Sequence, residues 1–191
     1  MSILRNTPTS PLPEFEYAID VAVIGAGACG LTAALAARDA GADVLVFERD
    51  KRPWGSTSMS LGAVCGVGSK EQQRHGIDDS AAAFVADVMA KTEQRADVRL
   101  ARLIGERSGG VLDWLNETHQ VPLLLDAKWT GLGHSSRRLH IPPGRNGEEL
   151  LALLLNACAR AGAEVVTEAT VTALYADEDN RVVGLRVERP G

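Results

Sequence analysis

The stretch VIGAGACG sets Gly25, Gly27 and Gly30 in a G-x-G-x-x-G pattern between the apolar run YAIDVAVIG and the alanine- and leucine-rich segment CGLTAALAARDAG. The run reads as a buried parallel strand, and the segment as a helix closing at Gly41. In that setting each glycine has a task. The first permits the tight turn, the second lets a pyrophosphate approach the backbone, and the third lets helix and strand pack closely. Phosphates rest on the helix N-terminus, where N–H groups and the helix dipole favour negative charge. The next run, ADVLVFE, is a second apolar strand, so the start of the chain is a βαβ unit and the fold class is α/β, Rossmann-type, with a parallel sheet. Glu48 ends that strand, placed to accept hydrogen bonds from ribose hydroxyls and to repel a 2′-phosphate. That leaves FAD or NAD rather than NADP.

With 191 residues and 45% hydrophobic composition the chain can bury a core, and a net charge of −5 without a basic stripe argues against nucleic acid as a partner. Cys29, Cys65 and Cys158 form no cluster, which argues against a bound metal or a disulfide framework and for a reducing, cytoplasmic setting. Residues 1–16, rich in proline, read as a flexible tail that is neither signal peptide nor membrane anchor, and no apolar run has the roughly 20 residues of a membrane helix. Residues 17–76 hold the βαβ unit and a long Gly/Ser-rich loop. Residues 77–130 read as a helical insertion, with Asp79 capping a helix to about Gln94 and Asp97 capping another to about Thr118. Residues 131–191 return to the first domain through a polar loop, the amphipathic helix GEELLALLLNACARAG, the strand AEVVTE, and two alternating strands around an acidic turn.

A compact NAD-binding domain would continue with a strand and helix soon after the acid, whereas this chain continues with ERDKRPWGSTSMSLGAVCG. DVAVIGAGACGLTAALAARDAGADVLVFER, GSTSMSLGA, VLDWLNETHQVP and GRNGEELLALLLNACARAGAEVVTEATVTALYADEDNRVVGLRV follow one another over nearly all of residues 17–189. Together they resemble the N-terminal part of the fumarate reductase/succinate dehydrogenase flavoprotein superfamily, which includes 3-ketosteroid dehydrogenases and aspartate oxidases. The resemblance implies FAD bound in an extended conformation. Its pyrophosphate would lie on the backbone around Gly25, Gly27 and Cys29, with Ala28 and Gly30 also cofactor-binding, and its adenosine ribose at Glu48, with Arg49 a further cofactor-binding residue. Ser56, Thr57, Ser60, Gly62 and Ala63 would line the flavin end, and the strand at Val171 would present its backbone to adenine. Cys29 is then a small packing residue, not a nucleophile. GSTSMS lacks the histidine that succinate dehydrogenase-type members use for covalent attachment, so the FAD is expected to be noncovalent. Trp54–Gly55 stands where members commonly have Gly-Gly.

The loop HSSRRLHIPP gathers His134, Arg137, Arg138 and His140. Such a group suits a substrate carboxylate or a reduced, anionic flavin; the plainer alternative is a solvated basic loop with one satisfied histidine. His140 is the substrate-side candidate, because superfamily members often carry a polar Arg/His loop here, and no catalytic residue is assigned. Trp114 reads as core rather than as a flavin stacker. The implied activity is hydride transfer between flavin N5 and a CH–CH or C=C bond next to a carboxylate or carbonyl, on a dicarboxylate, steroid or similar small molecule. The electron donor or acceptor is left open. The proton-transfer residues and the last FAD-binding segment are expected beyond Gly191, making the fold incomplete at its C-terminus. Two alternatives stand beside this reading: a noncatalytic flavin-binding module, and an NAD-dependent oxidoreductase.

Overall fold

The computed structural model describes residues 1–5 and 12–190. In chain order the elements are β1 (Ser2–Arg5), β2 (Val21–Ile24), α1 (Ala28–Asp39), β3 (Val44–Phe47), α2 (Ser56–Met59), β4 (Val64–Cys65), α3 (Lys70–Arg74), α4 (Ala81–Lys91), α5 (Val98–Glu117), β5 (Leu124–Leu125), β6 (Leu139–Ile141), α6 (Gly147–Ala161), β7 (Glu164–Val166), β8 (Thr170–Ala176) and β9 (Val182–Glu188). They form two compact units. One takes the chain up to Ser56 and again from Leu154; the other is Thr57–Leu153.

In the first unit β2, β3 and β7 form a parallel sheet with β3 in the centre, in register from Val21 opposite Val44 and from Leu45 opposite Glu164. Alternation along β3 buries Val44 and Val46, and helical spacing buries Leu31, Ala34 and Leu35 on α1. Each fully buried leucine or valine contributes about 1.5–3 kcal/mol. Cys158 of α6 reaches the Leu31 carbonyl at 3.5 Å. At the far end of α1, Arg38 donates to the Ala161 and Ala42 carbonyls, so one side chain ties the exits of both helices.

β8 and β9 form the expected antiparallel hairpin. Its turn is held by the Asp177 carboxylate, which accepts from the Asp179 and Arg181 amides at 3.0 and 2.8 Å. The flexible tail expected over residues 1–16 does not hold for Ser2–Arg5, which pair in parallel with Ala173–Ala176. The edge of β8 presents a row of backbone donors and acceptors, and a strand satisfies them whatever its side chains. Further along, Phe15 lies edge-on to Tyr175 with ring centroids 5.7 Å apart and covers Gly184, where a Cβ would strike its ring. Residues 6–11 of the expected tail lie outside the described residues.

In the second unit α5 carries glycines where backbones meet. A Cβ on Gly105 would lie 3.0 Å from Ala81 of α4, and one on Gly109 would strike the Val67 carbonyl. β6 is central in an antiparallel sheet with β4 and β5. This unit joins the expected 77–130 insertion to most of the Gly/Ser loop and to the second polar loop. The stretch 51–76, too irregular in sequence for a helix, contains α2, β4 and α3. Local capping explains α3: the Ser69 hydroxyl accepts from the Gln72 amide while the Gln72 side chain accepts from the Ser69 amide. Asp97 caps α5 as expected, accepting from Arg99 and Leu100. Asp79 does not cap α4. Ser80 does, since the Asp79 carboxylate is drawn to Arg138.

Candidate functional site

In the first unit the chain leaves β2 and turns at Gly25, φ +98°, into α1, with Gly27 at its N-cap. Gly27 brings no side-chain cap and the first turn holds no acidic residue, and the dipole of such a helix end favours negative charge. Gly30 lies directly against Gly25; a Cβ there would fall on the Gly25 carbonyl oxygen. Ala28 and Cys29 open the helix, and Cys29 is exposed.

Glu48, a residue 9% exposed, stands beside this turn. One oxygen accepts the Ala26 amide at 2.9 Å and the other the Asp50 amide at 3.0 Å. Its main chain bonds to Val166 and Ala169, both at 2.8 Å, so the acid is tied to the turn on one side and to the entry of β8 on the other. Val171 follows in β8, ahead of Ala173, where the pairing with β1 begins. Arg49 is exposed and pairs with Asp50 at 3.4 Å, at the edge of an open groove of about 480 Å³ shared with Lys51, Glu168 and Thr170. The unit thus gathers Gly25, Gly27, Ala28, Cys29, Gly30, Glu48, Arg49 and the start of β8. A turn with glycine at 25, 27 and 30, at a helix N-terminus, fits a pyrophosphate, and the carboxylate beside it fits ribose hydroxyls.

Ser56 opens α2, and Thr57, Ser60, Gly62 and Ala63 follow in the second unit. The Ser60 hydroxyl is committed inside the loop: it donates to the Thr57 carbonyl at 2.7 Å and accepts the Gly62 amide at 3.0 Å. Both bonds shape the loop that the sequence assigns to the flavin end. Gly62 is buried with φ +72°, a conformation that favours glycine. Ser58, not singled out from the sequence, is the buried hydroxyl of this stretch with no hydrogen-bond partner among the described residues.

The second polar loop is not a free basic cluster. Arg138 is fully buried; its guanidinium meets the Asp79 carboxylate through two bonds at 2.7 and 2.8 Å, bonds Asp87 through Nη1, and lies over the Phe84 ring at 5.5 Å. Burial by itself would raise the Asp79 carboxyl, but hydrogen bonds from Arg138 and Gln72 hold it below the usual carboxylate range, and Asp87 is lowered against its burial in the same way by Arg138 and Ser135. Arg138 therefore closes an internal ion network and does not clamp a substrate. Arg137 donates to the Ala127 carbonyl. His140, the substrate-side candidate, is also fully buried. Nδ1 bonds the Arg138 carbonyl at 2.8 Å, so it carries the proton, and Nε2 accepts from the Ser69 hydroxyl at 2.7 Å. Burial pushes its pKa down, and with both nitrogens engaged the imidazole is a neutral structural bridge with no atom for a substrate. Trp114 lies edge-on to His119 at 4.6 Å. Among the described residues no group of three His, Cys, Asp or Glu is placed to hold a metal, and no helix is long and apolar enough to cross a membrane.

The model of the FAD binding domain family matches residues 20–191. A probable fumarate reductase of Shewanella frigidimarina is 32% identical over 166 residues, 86% of this chain but 28% of that protein. Among solved structures, the open conformation of a flavocytochrome c3 fumarate reductase superposes with a TM-score of 0.78 at 32% identity, covering 88% of this chain and 30% of that one. A 3-ketosteroid-Δ4-(5α)-dehydrogenase from Rhodococcus jostii in complex with 4-androstene-3,17-dione gives 0.79 at 26%, covering 97% and 45%. This chain therefore spans less than a third of the length of the curated relative.

Proposed function

The chain belongs to the FAD-binding domain family, its cofactor is FAD, and we propose that it serves a flavoprotein oxidoreductase transferring hydride between flavin N5 and a CH–CH or C=C bond next to a carboxylate or carbonyl. When bound, the flavin supplies the redox chemistry. The chain's own residues hold and orient it. The turn at Gly25, Gly27 and Gly30 takes the pyrophosphate with Ala28 and Cys29 at the helix end. Glu48 and Arg49 take the adenosine ribose, and the β8 backbone at Val171 takes adenine. Ser56, Thr57, Ser60, Gly62 and Ala63 form the loop for the flavin end. The observation that carries this reading is the Glu48–Ala26 bond, which sets a carboxylate at a fixed distance from the phosphate turn. The lack of a histidine in GSTSMS supports noncovalent attachment. The relatives' substrates suggest a small molecule bearing a carboxylate or carbonyl.

Purified protein mixed with FAD should acquire the flavin visible band after desalting, and acid precipitation should release all of it to the supernatant. Failure to retain FAD would sink the reading; flavin remaining in the pellet would overturn noncovalent attachment. Reduced viologen dye should then be oxidised with an unsaturated dicarboxylate or an α,β-unsaturated 3-ketosteroid, whose C=C bond takes up two electrons and two protons. A holoprotein inert toward both classes would act by itself as a flavin-binding module.

A further inference from the structure

Gly147, the first residue of α6, has no conformational need to be glycine, since its φ is an ordinary one, and glycine is a poor helix former. What it has is a neighbour. A Cβ there would fall on the Thr57 carbonyl oxygen and lie 2.9 Å from both the Ser60 carbonyl and hydroxyl oxygens. The Gly147 amide donates to that Ser60 carbonyl at 2.9 Å. On the same seam a Cβ on Gly62 would lie 2.7 Å from the Asn146 carbonyl oxygen. Two backbones thus meet without side chains between them, at Gly147 and at Gly62. The helix side of the seam is the fixed one: Asn146 accepts from the Glu149 amide at 2.8 Å, and Leu150 and Leu151 are buried. We propose that Gly147 is a positioning residue for FAD, acting through the Thr57–Gly62 loop: it seats the loop on the start of α6 and so sets where the backbone of Gly62 and Ala63 meets the isoalloxazine. This rests on the assignment of that loop to the flavin end.

FAD and ADP titrations of wild type, Gly147→Ala, Ser60→Ala and Gly110→Ala test it, because ADP reads the phosphate turn and Glu48 without the flavin loop. Gly147→Ala should weaken FAD tenfold or more while ADP affinity stays within twofold. Gly110→Ala, on α5 with open space around its Cβ, controls for adding a methyl group to a glycine and should change neither. Equal FAD affinity in wild type and Gly147→Ala overturns the proposal. If Gly147→Ala loses ADP as well, its fold has failed and Ser60→Ala decides, since it removes the two loop bonds of that hydroxyl without adding an atom. Selective loss of FAD there supports the proposal, and any other result overturns it. Wild type that does not bind FAD instead refutes the flavin-loop assignment itself, and the proposal with it.

Discussion

The Glu48 carboxylate accepts the Ala26 amide at 2.9 Å, so the acid at the end of β3 and the glycine turn at the end of β2 form one rigid piece. Hydrogen bonds to a charged group contribute about 1.5–3 kcal/mol each, or roughly 10- to 100-fold in affinity. Glu48→Ala should weaken FAD by that range, and Glu48→Gln, which keeps one acceptor oxygen, by less. Fluorescence titration reads both. Unchanged affinity in Glu48→Ala would count against the ribose assignment.

Removing Arg138 strands two carboxylates, one of them fully buried. Arg138→Met should cost about 3–5 kcal/mol in urea unfolding, with part recovered when Asp79→Asn is added. Because Asp79 and Asp87 are held below their usual pKa of 3.8, their contribution is present above that value and lost as pH falls through the depressed ones. The gap between wild type and Arg138→Met should therefore narrow on acidification. A gap that widens would refute the network's sign.

His140 is held neutral, its pKa lowered from the usual 6.5 by burial. Its contribution is present above pH 6.5 and lost as pH falls through the folded value. The wild-type Tm should drop more between pH 8 and pH 5 than that of His140→Gln, as read by calorimetry. Parallel curves would mean that the ring does not carry the titration.

Burial pushes the Cys158 thiol up to about 11 from 9.0. Its protonated form is favoured in the fold, so stability is intact below pH 9 and declines between pH 9 and 11. Cys158→Ala should flatten that decline. Under native conditions a thiol reagent should label exposed Cys29 and reach Cys158 only on unfolding; early labelling of Cys158 would contradict its burial.

Local chemistry made much of this protein readable in advance. The glycine spacing, the 3.6-residue pattern of α1, α5 and α6, the Asp97 cap and the β8–β9 turn all follow from residues close in sequence, as does the run from Gly25 to Glu48. The failures share one cause. Arg138 and Asp79 are 59 residues apart and Ser69 and His140 are 71 apart, and no local pattern pairs them. From sequence alone His134, Arg137, Arg138 and His140 suit a substrate carboxylate or a reduced flavin as readily as a solvated basic loop.

By itself, then, the sequence determined the βαβ unit, the glycine turn and the acid beside it, because these depend on neighbours along the chain and on backbone freedom at glycine. Tertiary structure decided whether each polar side chain faces a ligand or the interior. It turned Arg138 and His140 inward, committed the Ser60 hydroxyl to its own loop and brought β1 to the edge of β8. Burying a charge or an imidazole is tolerable only where distant partners satisfy it, and those partners meet only in the folded chain.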